Sequence, residues 1–275
     1  LSYHPCKLTF RGGILEFGCD FMSNIFRDFD LSNMLVILFL FSMGSMIGWV
    51  IELFFRRFFS PNNPNRKWIN PGFLMGPWLP LYGTGLVILC SIASIRITAL
   101  NDHPVIQSIV TVLIMTVAMT VIEYIAGLIF IKGMNIKLWD YSDRPGNIQG
   151  IICPLFTFFW GVVAAIYYFF IHPHIINSLI WLAGHLTFSF FIGFFYGIFV
   201  IDLVNSFKIM TKVKKFADDY NIVVRIEELK AHIATALDEE KEKRRFLHPL
   251  HSLNALSSAF EKNSENFSIQ KKIKK

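Results

Sequence analysis

Charged residues are scarce in this chain, and their scarcity excludes an ordinary soluble domain. Asp, Glu, Lys and Arg make up 17% of the 275 residues, whereas hydrophobic residues make up 53%. The phosphate-binding pattern Gly-x-x-x-x-Gly-Lys-Ser/Thr is absent, so any nucleotide hydrolysis must come from another polypeptide. The four cysteines form no Cys-x-x-Cys pair and no Cys/His cluster with the spacing of a metal site. We therefore expect no cofactor and no metal ion.

The sequence is instead rich in long apolar stretches. Five of them, at about residues 31–55, 75–100, 104–131, 151–171 and 178–201, reach the roughly 20 residues that cross a bilayer. This pattern predicts an all-α integral membrane protein with five transmembrane helices in residues 31–203. Residues 1–30 are expected to form an extracytoplasmic segment. Residues 204–250 are expected to form an amphipathic helical tail in the cytoplasm, and residues 251–275 a disordered basic end.

The distribution of positive charge predicts the orientation in the cell membrane. The first and third loops contain several Lys and Arg residues, whereas the second contains Arg96 alone and the fourth, His172-Pro-His174, contains none. Because cytoplasmic loops carry the excess of Lys and Arg, we expect the amino terminus outside and the carboxyl terminus in the cytoplasm. Cys6 and Cys19 then lie outside, where an oxidising compartment would allow a disulfide. The net charge of +6 follows this membrane bias and does not indicate a nucleic-acid partner.

Two polar segments rich in Pro, Gly and Trp interrupt the apolar stretches. Irregular backbone beside a bilayer is tolerated only where protein or water satisfies its polar groups, so both segments are candidate functional regions. The first is predicted to be a structured loop leading into the second span, with Trp68 and Trp78 as interfacial anchors. Its motif consists of Asn70, Gly72, Gly76, Pro77, Pro80, Tyr82 and Gly83.

The second segment supplies most of a candidate polar site. Its members are Trp139, Asp140, Tyr141, Asp143, Arg144 and Asn147. An alternative reading is structural: Asp140, Asp143 and Arg144 could form a salt-bridged turn that holds the third and fourth spans in register.

Two glutamates within the apolar stretches complete the candidate site. Carboxylates inside a membrane are rare and are functional candidates by default. Glu123 lies on a polar stripe with Thr116, Thr120 and Gly127, and this stripe must face the protein interior. Glu52 lies near the end of the first span, and there a structural ion pair with Arg56 explains it as well as a functional role does.

Small and polar residues at helical spacing predict several packing faces. Gly44 and Gly48 would allow a close helix neighbour, and Thr157, Gly161 and Ala164 would form a packing face in the fourth span. In the fifth span we expect a stripe of His185, Ser189 and Tyr196, and a second close contact at Gly193 and Gly197. Cys90 and Cys153 are expected to be small buried residues.

The tail is predicted to contain two amphipathic helices. The first follows from Phe207, Met210, Val213 and Phe216, and ends near Asp218. The second is predicted from the apolar stripe of Ile222, Ile226, Leu229, Ile233 and Leu237. This stripe could pair with a partner helix, dock on the membrane bundle or lie on lipid.

The motifs together resemble the ABC-transporter type IV, or CmpB-like, permease family. The resemblance rests on Gly48-Trp-Val-Ile-Glu52, Asn70-x-Gly-Phe-Leu-x-Gly-Pro-x-x-Pro-x-Tyr-Gly83, Glu123-Tyr124, and Trp139-Asp-Tyr-Ser-Asp-Arg-Pro145 with Asn147 and Gly150. It covers about residues 35–203. It implies a membrane permease, and hence a transport subunit that works with a separate ATPase.

Two other functions are compatible with the same residues. The chain could be a non-catalytic membrane scaffold or regulator that uses its tail to bind a partner helix. It could also be an intramembrane enzyme acting on a lipid-linked substrate, with Glu123, Asp140, Asp143 and Arg144 as acid/base and anion-binding groups. In every case membrane lipid is the surrounding partner.

Overall fold

The computed structural model describes residues 8–11, 14–17, 31–60, 63, 65–95, 97, 100, 102–183, 185–220, 223–226 and 229–230. The Cys6–Cys19 disulfide, the tail helix beyond residue 230 and the basic carboxyl end lie outside these residues and stay predictions.

Most of the described residues are α-helical. The helices are α1 (Leu31–Phe58), α2 (Pro80–Ala93), α3 (Pro104–Met134), α4 (Pro154–Ile166), α5 (His172–Ala183) and α6 (Ser189–Tyr220). A π-helical turn, Tyr167–Ile171, joins α4 to α5, and a 3₁₀ turn, Leu186–Phe188, precedes α6. Strands β1 (Leu8–Arg11) and β2 (Ile14–Phe17) pair antiparallel, and β3 (Ile136–Lys137) pairs in parallel with β4 (Val224–Arg225).

Four helical segments are long and apolar enough to cross a membrane: Met34–Phe58, Pro104–Met134, Pro154–Ile176 and Ser189–Asp219. The remaining predicted span, the second (residues 75–100), contains the shorter apolar helix α2, of 14 residues. Prolines open α2, α3 and α4 because the first residue of a helix needs no amide hydrogen and the ring already fixes a helical φ.

The predicted division between the fourth and fifth spans is wrong. His172 and the residues after it form no loop, because the π turn carries the helix from α4 directly into α5. The chain breaks later, between Ala183 and Ser189, so α6 begins eleven residues beyond the predicted start at Ser178. His185 therefore lies before α6, and its ring stacks on Trp181 at 4.2 Å.

The described chain forms two compact units. Unit 1 takes its residues from Leu1–Trp49, Pro77–Ala126 and Tyr141–Val200, and unit 2 takes its residues from Val50–Gly76, Gly127–Asp140 and Ile201–Lys275. The core of unit 1 combines buried side chains of α1 to α5, among them Leu40, Met115 and Leu179. The core of unit 2 is built from Ile136, Met210, Val213 and Ile226.

Glycines bring α1 and α2 into contact within unit 1. A Cβ at Gly44 would lie 2.7 Å from the Cβ of Leu86, and one at Gly48 would overlap the ring of Tyr82. The predicted close contact of this glycine pair is therefore made inside the chain. For Gly193 and Gly197, no neighbouring group among the described residues lies within 4 Å of a Cβ built at either position, so this pair makes no close contact within that part of the chain.

The two tryptophans of the first loop differ in environment. Trp68 is exposed, and the guanidinium of Arg57 lies 5.0 Å from its ring centre. Trp78 is buried and packs edge-on against Phe195 and Phe199, so its predicted role as an interfacial anchor is wrong.

The tail follows its predicted pattern in part. Met210 and Val213 are buried along the extension of α6, as the first amphipathic stripe requires. Val224 and Arg225 form a strand where the second helix was expected, and Ile226 of the predicted stripe is buried.

Candidate functional site

The side chain of Glu123 in α3 lies in a buried polar cluster of unit 1. Only 4% of the residue is exposed. Its Oε1 accepts a hydrogen bond from the Tyr141 hydroxyl at 3.1 Å, and its Oε2 accepts one from Trp160 Nε1 at 2.8 Å. Burying a carboxyl group is costly unless its oxygens are hydrogen-bonded, and here each oxygen has a donor.

The polar stripe of α3 directs Glu123 towards α4. One turn before it, Thr120 donates to the carbonyl of Thr116 at 2.9 Å and lies 3.4 Å from the hydroxyl of Thr157. Thr116 lies opposite Gly161, because a Cβ built at Gly161 would be 3.3 Å from the hydroxyl oxygen of Thr116. The stripe therefore faces protein, as the sequence predicts, and it meets the predicted packing face of α4.

Tyr141 reaches Glu123 because the segment that carries it is fixed at two points. Its ring stacks on Phe156 with 4.1 Å between ring centres. Its backbone N–H donates to the carbonyl of Gly150 at 2.8 Å.

The same segment is closed by the side chain of Asn147. Its Nδ2 donates to the carbonyls of Ser142 and Arg144 at 3.1 and 2.8 Å, and its Oδ1 accepts the N–H of Gly150 at 3.0 Å. Gly146 and Gly150 adopt φ values of 70° and 69°, which favour glycine. Asn147 thus stabilises the turn, while the side chains of Asp143 and Arg144 point outward and are exposed.

In unit 2, hydrogen bonds hold the loop from Asn70 to Gly76 at both its N–H groups and its carbonyl groups. The carboxylate of Asp202 accepts the N–H groups of Met75 at 3.2 Å and of Gly76 at 3.0 Å. The Asn70 amide donates to the carbonyls of Leu74 and Met75 at 3.0 and 2.7 Å.

Lys230 binds carbonyl groups of the same loop, whereas Asp202 binds its N–H groups. Its Nζ donates to the carbonyl of Asn70 at 3.0 Å and to that of Gly72 at 2.8 Å. Gly72 has φ 71°, which favours glycine and turns this carbonyl. Burial lowers the pKa of Lys230 to about 7; the charge of Arg56 lowers it further and that of Asp202 opposes the shift.

Ion pairs order the remaining candidates in unit 2. Arg56 Nε lies 3.1 Å from Glu52 Oε1, which is the interfacial pair that the sequence predicts. Asp140 pairs with Lys137 at 3.1 Å and with Arg225 at 2.9 Å, across the β3–β4 sheet. Trp139 is half-buried beside it in the chain.

The first loop motif divides between the units. Asn70, Gly72 and Gly76 belong to unit 2, whereas Pro77, Pro80, Tyr82 and Gly83 belong to unit 1. Pro77 is exposed, Pro80 opens α2, and Tyr82 packs between Gly48 and the ring of Trp160, 5.7 Å away. Gly83 lies against Ser45 of α1.

Sequence reasoning missed Trp160, Arg225 and Lys230. Trp160 had a usable signal, because it follows Thr157 by one turn and a buried indole N–H needs an acceptor. Lys230 and Arg225 had no such signal, since their partners lie far away in the sequence. Within the described ranges, no three His, Cys, Asp or Glu residues come together with metal-binding geometry.

The length and apolar composition of four helices are those of a multi-pass helical membrane protein. A family model described as "Putative ABC-transporter type IV" matches residues 39–207, which is more than half of the chain, and the protein belongs to this family. The match includes Glu123, Tyr141, Trp160 and Asp202 and ends before β4 and Lys230. No curated protein and no solved structure matches the chain.

Proposed function

We propose that this protein is the membrane-embedded subunit of a transporter whose ATPase is a separate polypeptide. Membership of the ABC-transporter type IV family supports a transport role. The absence of a phosphate-binding loop from the sequence means that a partner must supply the hydrolysis.

The observation that carries this proposal is the fixed loop of unit 2. Asp202 binds two of its amides and Lys230 binds two of its carbonyls, while Phe73 packs against the unit 2 core. A partner that drives conformational change needs a surface that moves as one body. A loop held at both its donors and its acceptors supplies such a surface.

The proposal includes the predicted orientation, with the amino terminus outside and unit 2 in the cytoplasm. It also includes α2 as a fifth crossing. Its 14 residues extend about 21 Å at 1.5 Å per residue, so flanking residues must complete the roughly 30 Å of hydrocarbon. The alternation of Lys- and Arg-rich loops supports this topology.

In this proposal the polar cluster at Glu123 is a positioning site. Its two donors come from the Trp-Asp-Tyr-Ser segment and from α4, so the carboxyl group couples the segment to the bundle. An enzyme that used Glu123 as an acid or base would need the carboxyl group accessible to a substrate. Here both carboxyl oxygens accept hydrogen bonds from the protein, one from Tyr141 and one from Trp160. Asp143 and Arg144 are exposed, away from this buried group.

Affinity purification tests the ATPase partner. The tagged chain is extracted from its native membrane in lipid nanodiscs after mild cross-linking, and ATP hydrolysis is measured in the purified material. We expect an ATPase to co-purify, and we expect the Lys230→Ala variant to recover several-fold less of it. Lys215→Ala is the matched control, because Lys215 is exposed on the same unit.

The absence of an ATPase from cross-linked wild-type material would contradict the proposal. If, in addition, a chain truncated after Val204 no longer replaces the full-length chain in cells, the result would favour a scaffold role for the tail.

A further inference from the structure

An open apolar groove runs between α3 and α4 in unit 1. Its volume is about 710 Å³, within the roughly 300–1,000 Å³ that is usual for small-ligand sites. On α3 the groove is lined by Val112, Leu113 and Thr116, and on α4 its lining extends from Pro154 to Ala165. The segment before α4 contributes Gly146, Ile148 and Ile152.

Small residues create the groove and keep its wall apolar. Gly161 leaves space beside Thr116, and Thr157 forms the adjacent part of the floor. The hydroxyl of Thr116 donates to its own helix, at the carbonyl of Val112, over 2.7 Å. The hydroxyl of Thr157 lies 3.4 Å from that of Thr120. The floor therefore offers a ligand mainly hydrocarbon.

The shape of the groove fits a chain thinner than a helix. From Pro154 to Ala165 the α4 wall is about 16 Å long at 1.5 Å per residue. A helix of that length and a diameter of about 10 Å would fill roughly 1,200 Å³, well above the volume of the groove. A single acyl chain is slender enough to lie along it, and the exposed apolar faces of α3 and α4 place these helices among lipids.

Charges at the rim indicate the headgroup. Gly146, which lines the groove, belongs to the turn that presents the exposed side chains of Asp143 and Arg144. Asn147 holds that turn by two hydrogen bonds. A neighbouring carboxylate and guanidinium match a headgroup that carries an ammonium and a phosphate, whereas a purely anionic headgroup would leave Asp143 opposed to it.

We propose that the groove binds one acyl chain of a phospholipid with a zwitterionic headgroup, in which an ammonium accompanies the phosphate, and that Asp143 and Arg144 contact this headgroup. The inference does not rest on the transport proposal, because binding is measured directly and needs no ATPase.

Photolabelling in nanodiscs tests the acyl-chain contact. The full chain is reconstituted with a trace of phosphatidylethanolamine that carries a diazirine on its acyl chain, and labelled peptides are mapped by mass spectrometry. We expect labelling to concentrate on the peptides that contain Val112–Thr116 and Ile152–Val162. The Val162→Trp variant, which fills the groove, should lower this labelling at least five-fold.

Val163→Trp is the matched control. Val162 and Val163 are neighbours on α4 and are similarly exposed, at 39% and 44%, but only Val162 lines the groove. Melting temperature and elution volume establish that both variants are folded, and Ala165→Leu gives a second, milder filling. Equal labelling of the Val162→Trp and Val163→Trp proteins, or even labelling along all exposed helices, would overturn the groove site.

Competition between headgroups tests the second part. We expect phosphatidylethanolamine to label the groove several-fold more than phosphatidylglycerol with the same acyl chains. Asp143→Asn should reduce that preference, and Lys215→Gln should leave it unchanged. Equal labelling by the two lipids would refute the contribution of Asp143 and Arg144.

Discussion

The carboxylate of Asp202 accepts the backbone N–H of Gly76 at 3.0 Å although 126 residues separate them in the chain. The second oxygen accepts the N–H of Met75, and Ser206 donates to the same carboxylate from one turn along α6, at 3.2 Å. Asp202 in α6 therefore fixes the loop that precedes α2.

Replacing Asp202 by Asn should loosen this loop. Asn retains the size of Asp but offers one acceptor oxygen in place of two, so one amide loses its partner. We expect the free energy of unfolding to fall by about 1–3 kcal/mol, measured by thermal unfolding in nanodiscs, together with faster proteolysis within residues 70–76. Asp219→Asn, at an exposed position of the same helix, should change neither quantity.

The polar cluster of unit 1 should respond to loss of either donor. Tyr141→Phe removes one hydrogen bond to Glu123 and should cost about 1–2 kcal/mol. Trp160→Phe removes the other and leaves a cavity as well, so we expect about 2–4 kcal/mol. Tyr124→Phe, on the half-buried neighbour of Glu123, is the control. If both donor variants melt like the control, the cluster contributes nothing to stability.

The glycine contact between α1 and α2 gives a steric prediction. A side chain at Gly48 would overlap the ring of Tyr82, and overpacking of this kind costs roughly 1–3 kcal/mol or more. We expect Gly48→Leu to reduce the yield of monodisperse protein sharply. Gly197→Leu should be tolerated, because no neighbouring group in the described part of the chain lies within 4 Å of a Cβ there. Equal yields of the two variants would contradict the packing described.

Lys230 predicts a dependence on pH. Its pKa falls from 10.5 to about 7 in the folded protein, so between these values the unfolded chain binds more protons than the native one. Stability from this residue therefore rises with pH across that window, by at most about 1.4 kcal/mol per pH unit; as pH falls from 10.5 it is lost progressively, and the loss is complete by about pH 7. Arg56 and Asp202 are the charges that act on it.

Comparison with Lys230→Met isolates this contribution from other titrating groups. The difference in melting temperature between the wild type and the variant is measured at pH 6, 7.5 and 9. We expect it to shift in favour of the wild type as pH rises. A difference that stays constant, or that favours the wild type most at pH 6, would show that the buried ammonium remains charged.

Local sequence rules predicted the features that depend on neighbouring residues. The interior direction of the Thr116–Glu123 stripe and the Glu52–Arg56 pair each follow from spacings of three or four residues. Hydrophobic length predicted five spans, and four of the described helical segments are long and apolar enough to cross a membrane. In these cases the interacting groups lie within one or two helical turns.

The failures have a different physical origin. The buried residues Tyr167 and His172 stand five apart, a step that an α-helical pattern does not contain and that the π turn accommodates. Because of this step and Pro173, the sequence predicted a loop at His172 where the structure has a helix. The partners of Asp202 and Lys230 are backbone groups far away in the sequence, and backbone groups carry no signal in residue identity.

The contacts of Lys230 can form only late in the synthesis of the chain. Nζ of this residue binds the carbonyl of Gly72, which is 158 residues earlier in the chain. At a synthesis rate of about 5–20 residues per second, the loop waits roughly 8–32 s on the ribosome before that ammonium group exists. During that interval helices α2 to α6 are made, and Asp202 is available before Lys230. The loop therefore acquires partners for its amides first and for its carbonyls last.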